Sequence, residues 1–217
     1  MQGAEHIPVI NARKSITRLR NNIMKDITKY LEEEFDHLKE SIKSAKHDYH
    51  SFVFSTVRDR RPESRTVILR DVNTETPSVT FHSDKRSKKI TDIKINESVS
   101  ALFYDRVRKI QLRISGKAKI EMDTNATKQI WGKMRPESKL CYMGPFVPSE
   151  ELKSFTPNLP ENSAHNLTED NEVYGFSNFC RITVIIEKLD RLFLHHTGHQ
   201  RLLFNFKESV SARWIAS

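Results

Sequence analysis

The chain is poor in cysteine and glycine, with two and six among its 217 residues, and each shortage excludes a class of protein. Cys141 and Cys180 stand in neither a C-x-x-C pair nor a metal-ligand spacing, so they read as free thiols rather than a disulfide framework or a zinc site. The scarce glycines build no P-loop and no G-x-G-x-x-G turn, and H-E-x-x-H and G-x-S-x-G are missing as well. An enzymatic reading therefore needs a cofactor to carry the hard step. No apolar run approaches the roughly 20 residues of a membrane-spanning helix. The first residues, Met1 to Pro8, lack the basic start and apolar core of a secretory signal, so the expectation is a cytoplasmic protein.

What is present is globular in character. Hydrophobic residues make up 37% and charged residues 29% of the chain, enough for one domain, residues 1–217, with a proper core. The net charge of +8 favours anionic partners. Lysines and arginines are scattered, however, with no interleaved aromatic platform and no helix-turn-helix or zinc-finger spacing. A basic nucleic-acid binder is thus a disfavoured alternative.

Apolar residues at Ile16, Leu19, Ile23, Ile27, Tyr30, Leu31, Phe35, Leu38 and Ile42 follow a helical step and predict a long amphipathic helix over about 12–47. His37 and His47, in or just after it, read as surface residues. From Tyr49 the pattern changes to runs rich in Val, Ile, Phe and Thr. Strands are expected at 51–57, 65–72, 77–82, 98–104, 110–122, 181–187, 191–196 and 200–206, with a hairpin loop at 58–63. Short helices are expected at 87–96 and at 124–134, the latter capped by Thr124 and stopped by Pro136. The stretch 136–180, rich in Pro, Ser, Asn and Glu, reads as an insert of the kind that forms lids or stays partly unstructured. The fold class is α+β: an antiparallel β-barrel with a long N-terminal helix and short flanking helices.

The most informative segment lies between Arg65 and Lys89. Two strands, the first starting at Arg65 and the second ending at Ser83, lead into Asp84-Lys85-Arg86-Ser87-Lys88-Lys89, which opens a helix. A phosphate monoester is met best by an Arg fork, Lys ammonium groups, hydroxyls and a helix N-terminus, and Arg65, Ser83, Ser87, Lys88 and Lys89 supply them. Gln111, on a later strand, both donates and accepts, which suits the mixed edge of a polar heterocycle.

The order of these motifs resembles the pyridoxamine 5'-phosphate oxidase family of FMN-binding split barrels. Four islands carry the resemblance: Arg65-Thr66-Val67-Ile68-Leu69-Arg70; Phe81-His82-Ser83-Asp84-Lys85-Arg86-Ser87-Lys88-Lys89; Ile110-Gln111-Leu112-Arg113-Ile114-Ser115-Gly116; and His199-Gln200-Arg201-Leu202-Leu203-Phe204 with Trp214 near the end. The resemblance implies FMN as cofactor. It implies that Arg65, Ser83, Ser87, Lys88 and Lys89 hold the phosphate, with His82 in place of the family's Tyr in that loop. Thr66, Val67, Ile68 and Arg70 would face the flavin ring, as would Gln111, and Arg201 would join from the C-terminal segment. Arg70, Trp131 and Arg135 are the implied substrate contacts, and His199 and Arg70 the implied catalytic residues. A homodimer with FMN at the subunit interface and a small-molecule substrate complete the expectation.

The sequence departs from the family mainly at the substrate end. Arg70 stands where the oxidase has Lys, and Lys139 where it has Ser, with Ser138 one position off. The C-terminal Arg-x-His reduces to Thr197-Gly198-His199. The reading is an FMN flavoprotein, an oxidoreductase resembling pyridoxamine 5'-phosphate oxidase. A non-catalytic FMN or redox module and a flavin reductase driven by NAD(P)H are its alternatives.

Overall fold

The apolar stripe of the N-terminal segment is helical where it can be followed. The computed structural model describes residues 27–160, 168–207 and 210–217, so Ile16, Leu19, Ile23 and the expected start near residue 12 lie outside the described residues. The helix α1 covers 27–43 and buries Ile27, Leu31, Phe35 and Leu38 against the barrel. It ends at residue 43 rather than 47. The Ser44 carbonyl and hydroxyl take the N–H groups of His47 and Lys46, which competes with helix continuation. His47 then caps a 3-10 turn, Asp48–His50, its Nδ1 accepting the Tyr49 N–H at 3.0 Å.

Eight antiparallel strands follow: β1 (Ser51–Arg58), β2 (Arg61–Asn73), β3 (Ser78–Asp84), β4 (Ser98–Asp105), β5 (Ile110–Glu121), β6 (Phe179–Phe193), β7 (Gln200–Asn205) and β8 (Ser211–Trp214). They hydrogen-bond in the order β3-β2-β1-β4-β5-β6-β7-β8, and β3 also pairs with β6. That last pairing closes six strands into a barrel and leaves β7 and β8 as a flap. The barrel is filled by inward residues in strict alternation, including Phe52, Phe54, Phe81, Phe103, Leu112 and Ile114.

Three details differ from the sequence expectation. The loop at 58–63 is a two-residue turn, Asp59-Arg60, with both φ positive (49° and 63°), so β2 starts at Arg61. The expected pair 181–187 and 191–196 is one strand, β6. A bulge opposite Ser115 and Gly116 shifts its phase, so Ile182, Val184 and Ile186 point inward before it and Leu189 and Arg191 after it. The polar Glu187-Lys188 pair at that shift looks like a break in sequence. The final strand β8 goes unseen in the sequence pattern because it has only four residues, half of them polar.

Between β3 and β4 lies α2 (Lys88–Ile95), and after β5 comes α3 (Asn125–Lys133) with the expected Thr124 cap. The described residues of the 136–180 stretch include α4 (Pro136–Lys139), a 3-10 turn at Leu140–Tyr142 and α5 (Glu169–Asn178). Trp131, Tyr142, Met143 and Phe179 form a second small core beneath it. No described helix is long and apolar enough to cross a membrane.

Candidate functional site

Arg65 lies on the inward face of β2, opposite Phe54 of β1, at one end of the barrel. Its Nη1 donates to Thr56 Oγ1 at 2.8 Å, and its Nη2 stands 3.8 Å from the Asp92 carboxylate of α2. Asp92, only 3% exposed, accepts two hydrogen bonds from Arg58 at 2.9 Å and one from Thr56 at 2.8 Å. Burial alone would raise this carboxyl, but Arg58, Thr56 and Arg65 outweigh it and hold the group below its ordinary value. Asp92 stays charged and ties the Arg65 guanidinium to α2.

On the other side of the same end, Lys89 Nζ donates to Ser83 Oγ at 3.0 Å and to Ser87 Oγ at 2.9 Å. Burial, and then the nearby positive charge of Arg65, push the Lys89 ammonium below the usual lysine range. Two cations are therefore held within repulsive reach of each other. The Ser87 hydroxyl donates back to the Asp84 carbonyl at 2.7 Å, so no side chain caps the first turn of α2, which also carries no acidic residue. Lys88, in that turn, is exposed. The loop is pinned from outside by Arg86, which grips Asp84 and donates to the Gly144 carbonyl and to Tyr174.

A second set surrounds a cavity of about 420 Å³ on the outer side of β2 and β3. Its polar lining is Lys43, His50, Arg70, His82, Arg135 and Ser138. Arg70 stands at the bulge of β2, between the register pairs Leu69–Phe81 and Asp71–Thr80, which turns it outward. Burial, followed by the charges of Arg70 and Arg181, lowers His82 from 6.5 to about 4, so its imidazole is neutral at pH 7. Thr66, Val67 and Ile68 pair with Val53, Phe52 and Ser51 on the neighbouring strand.

Gln111 belongs to a third place. Tyr104, Gln111, Leu192 and Arg201 form one lateral row across β4, β5, β6 and β7. Arg201 there is paired to Asp190 at 2.7 and 3.0 Å, and Arg113 shares the same carboxylate. His199 is exposed in the β6–β7 hairpin, its Nδ1 accepting the His195 N–H at 3.1 Å. Trp131 is buried in the small core, with its indole N–H on Glu172 at 2.8 Å. Lys139 bonds the same Glu172 at 2.9 and 3.0 Å and lies over the Trp131 ring. Neither Trp131 nor His199 lines the cavity.

Residues 32–122 match the family model described as pyridoxamine 5'-phosphate oxidase, FMN-binding domain. The chain has the split-barrel fold, and over residues 32–122 it is similar to the pyridoxamine 5'-phosphate oxidase family. Among solved structures, this split-barrel protein is similar to a pyridoxamine 5'-phosphate oxidase-related, FMN-binding protein from Nostoc punctiforme. That match has a TM-score of 0.64 at 19% identity, over 84% of this chain and 95% of that one. It is also similar to PhzG from Burkholderia lata, solved with tetrahydrophenazine-1-carboxylic acid, with a TM-score of 0.56 at 14% identity over 77% and 82% of the two chains. A search of curated proteins returned no match.

The split barrel brings Arg65, Ser83, Ser87 and Lys89 together at one end, and Arg70, His82 and Arg135 around one cavity. Gln111 and Arg201 remain on the outer sheet face. Thr56 and Asp92, which hold Arg65, and Arg58, which holds Asp92, went unnoticed in the sequence. The available signal was Asp92 itself, an acid placed between Ile90 and Ile93 on the buried side of a short helix.

Proposed function

We propose that the protein binds FMN and acts as a flavin-dependent oxidoreductase resembling pyridoxamine 5'-phosphate oxidase. The observation that carries this reading is the cluster of Arg65, Lys89, Ser83 and Ser87 at the uncapped N-terminus of α2, with two cations held within repulsive reach. A phosphate dianion placed there would relieve the repulsion and accept from the guanidinium, the ammonium and the first N–H groups of the helix. The donor set fits such a phosphate in charge and in hydrogen-bond direction. Asp92 does not oppose it, because Arg58 neutralises that carboxylate.

When bound, FMN would supply the capacity to accept a hydride from a substrate. The chain's own residues would do the rest. Arg65 and Lys89 would fix the phosphate, the β2 backbone from Thr66 to Ile68 would face the ring, and Arg70 and Arg135 would orient an anionic substrate group in the cavity. Gln111 and Arg201 stand on the outer sheet face beside Tyr104, and Leu102 of the same strand is exposed on that face too. This half-apolar face suits a second copy of the chain, and a homodimer would bring its Gln111 row to a flavin held by its partner.

Purified protein separates the possibilities. Flavin absorbance, present as isolated or after FMN is added, is expected, with anaerobic bleaching by a reduced substrate. Arg65→Ala and Lys89→Ala should each weaken FMN binding by about 1.5–3 kcal/mol, the scale of one charge-assisted contact. A protein that stays colourless with FMN in excess would refute the reading. Bleaching by NADH or NADPH alone would favour a reductase.

A further inference from the structure

Lys43, Arg70 and Arg135 converge on the 420 Å³ cavity, and among the described residues no hydrogen bond or ion pair engages any of their side chains. This contrasts with the arginines packed around the barrel: Arg58, Arg65, Arg86, Arg108, Arg191 and Arg201 all have carboxylate partners. Among the described residues no Asp or Glu lines the cavity. Lys43 and His50 come from the end of α1 and the turn that follows it, outside every motif that pointed to a flavin.

His50 adds a directional feature. Its Nδ1 lies 2.8 Å from the Ser41 carbonyl oxygen, which can only accept, so the ring proton sits on Nδ1. The polar atom left for a ligand is Nε2, which in the neutral ring is an acceptor. The other imidazole among the described lining residues, His82, is wedged edge-on against Phe179 and kept neutral by burial and by Arg70 and Arg181. Ile42, Ala45 and Met134 supply apolar walls, and the volume is that of a small-molecule site.

We infer that the end of α1 makes this cavity selective, with Lys43 as a third cation and His50 Nε2 as acceptor, for a small anion that also carries a hydroxyl or amine donor. The inference rests on the flavoprotein reading only for the cavity's role as substrate site. Anion binding itself does not depend on FMN.

Two probes separate the contributions: methyl phosphate offers the dianion alone, and glycerol 3-phosphate adds hydroxyl donors. Titration of the FMN-treated protein, followed by calorimetry, should show tighter binding of glycerol 3-phosphate. Lys43→Ala should weaken both probes by about tenfold, with recovery in Lys43→Arg, as expected for one charge-assisted contact. His50→Ala should abolish the preference while leaving methyl phosphate binding unchanged. Long-range nitrogen–proton NMR on the unaltered protein should place the His50 proton on Nδ1. Wild-type affinities in Lys43→Ala, a preserved preference in His50→Ala, or a proton on Nε2 would each overturn the inference, as would failure of the wild type to bind either probe. Flavin absorbance of the same samples keeps the two readings apart. Flavin bound without phosphate binding defeats this inference alone, and phosphate binding without flavin defeats only the flavoprotein reading.

Discussion

His82 occupies the position where the resembled family has an aromatic residue, and its environment makes it serve as one. It packs edge-on against Phe179 at 4.9 Å between centroids, and burial with two arginines lowers it to about 4. A histidine whose folded value is depressed adds stability that is fully present above its unfolded value, near 6.5, and is lost as pH falls through the folded one. The wild type should therefore lose up to about 3 kcal/mol between pH 7 and pH 4 that His82→Gln does not lose. Urea denaturation of both proteins at several pH values measures the difference, and parallel pH curves would contradict the assignment. Several site residues were legible one at a time because chemistry is written in residue type: Arg65, Ser83 and Lys89 announce an anion. Asp92 and Arg58 were not, since their role exists only once α2 has packed on β1 and placed a carboxylate between two arginines.

The helix α1 is attached to the barrel by more than its apolar stripe. Glu34, with 0% exposure, accepts from both Nη atoms of Arg108 at 3.0 Å, from Arg191 Nε at 2.9 Å and from the Tyr49 hydroxyl at 3.1 Å. Burial and the Glu34 charge raise the Tyr49 phenol, which remains a neutral donor. Removing one partner of such a buried set strands the others, so Glu34→Ala should cost about 3–5 kcal/mol in chemical denaturation. A loss below about 1 kcal/mol would mean that water replaces the carboxylate. Strand and helix types were readable from period and capping, as Thr124 illustrates. The bulge in β6 was not, because it lies opposite Ser115 and Gly116 on the neighbouring strand. At Gly116 an added Cβ would overlap the Ile185 carbonyl oxygen, a contact between residues far apart in sequence.

For the whole molecule, the exposed face of β4 and β5 makes a specific claim. Leu102 and Tyr104 are exposed, side by side with Arg113 and Gln111, while the inward residues of the same strands are fully buried. Light scattering should give twice the chain mass, and Leu102→Glu should yield a folded monomer with weakened FMN binding. A monomeric wild type that binds FMN tightly would exclude a cofactor site shared between subunits. The barrel class could be read from strand spacing, and the grouping of Arg65, Ser83 and Lys89 from motif order. The cavity could not, because its walls come from α1, β2, β3 and α4, and nothing in the linear pattern brings Lys43 to Arg135.

The β3–β6 pairing joins Ser78–Asp84 to Phe179–Ile185, roughly a hundred residues further along. During synthesis β3 therefore leaves the ribosome as a bare sheet edge and stays one until the chain has passed Ile185. Its sequence, Ser78-Val79-Thr80-Phe81, is the kind that pairs with whatever strand it meets. Chains interrupted before β6 should aggregate rather than persist as smaller folded forms, and the rate of barrel closure should set how much of the nascent protein escapes that fate.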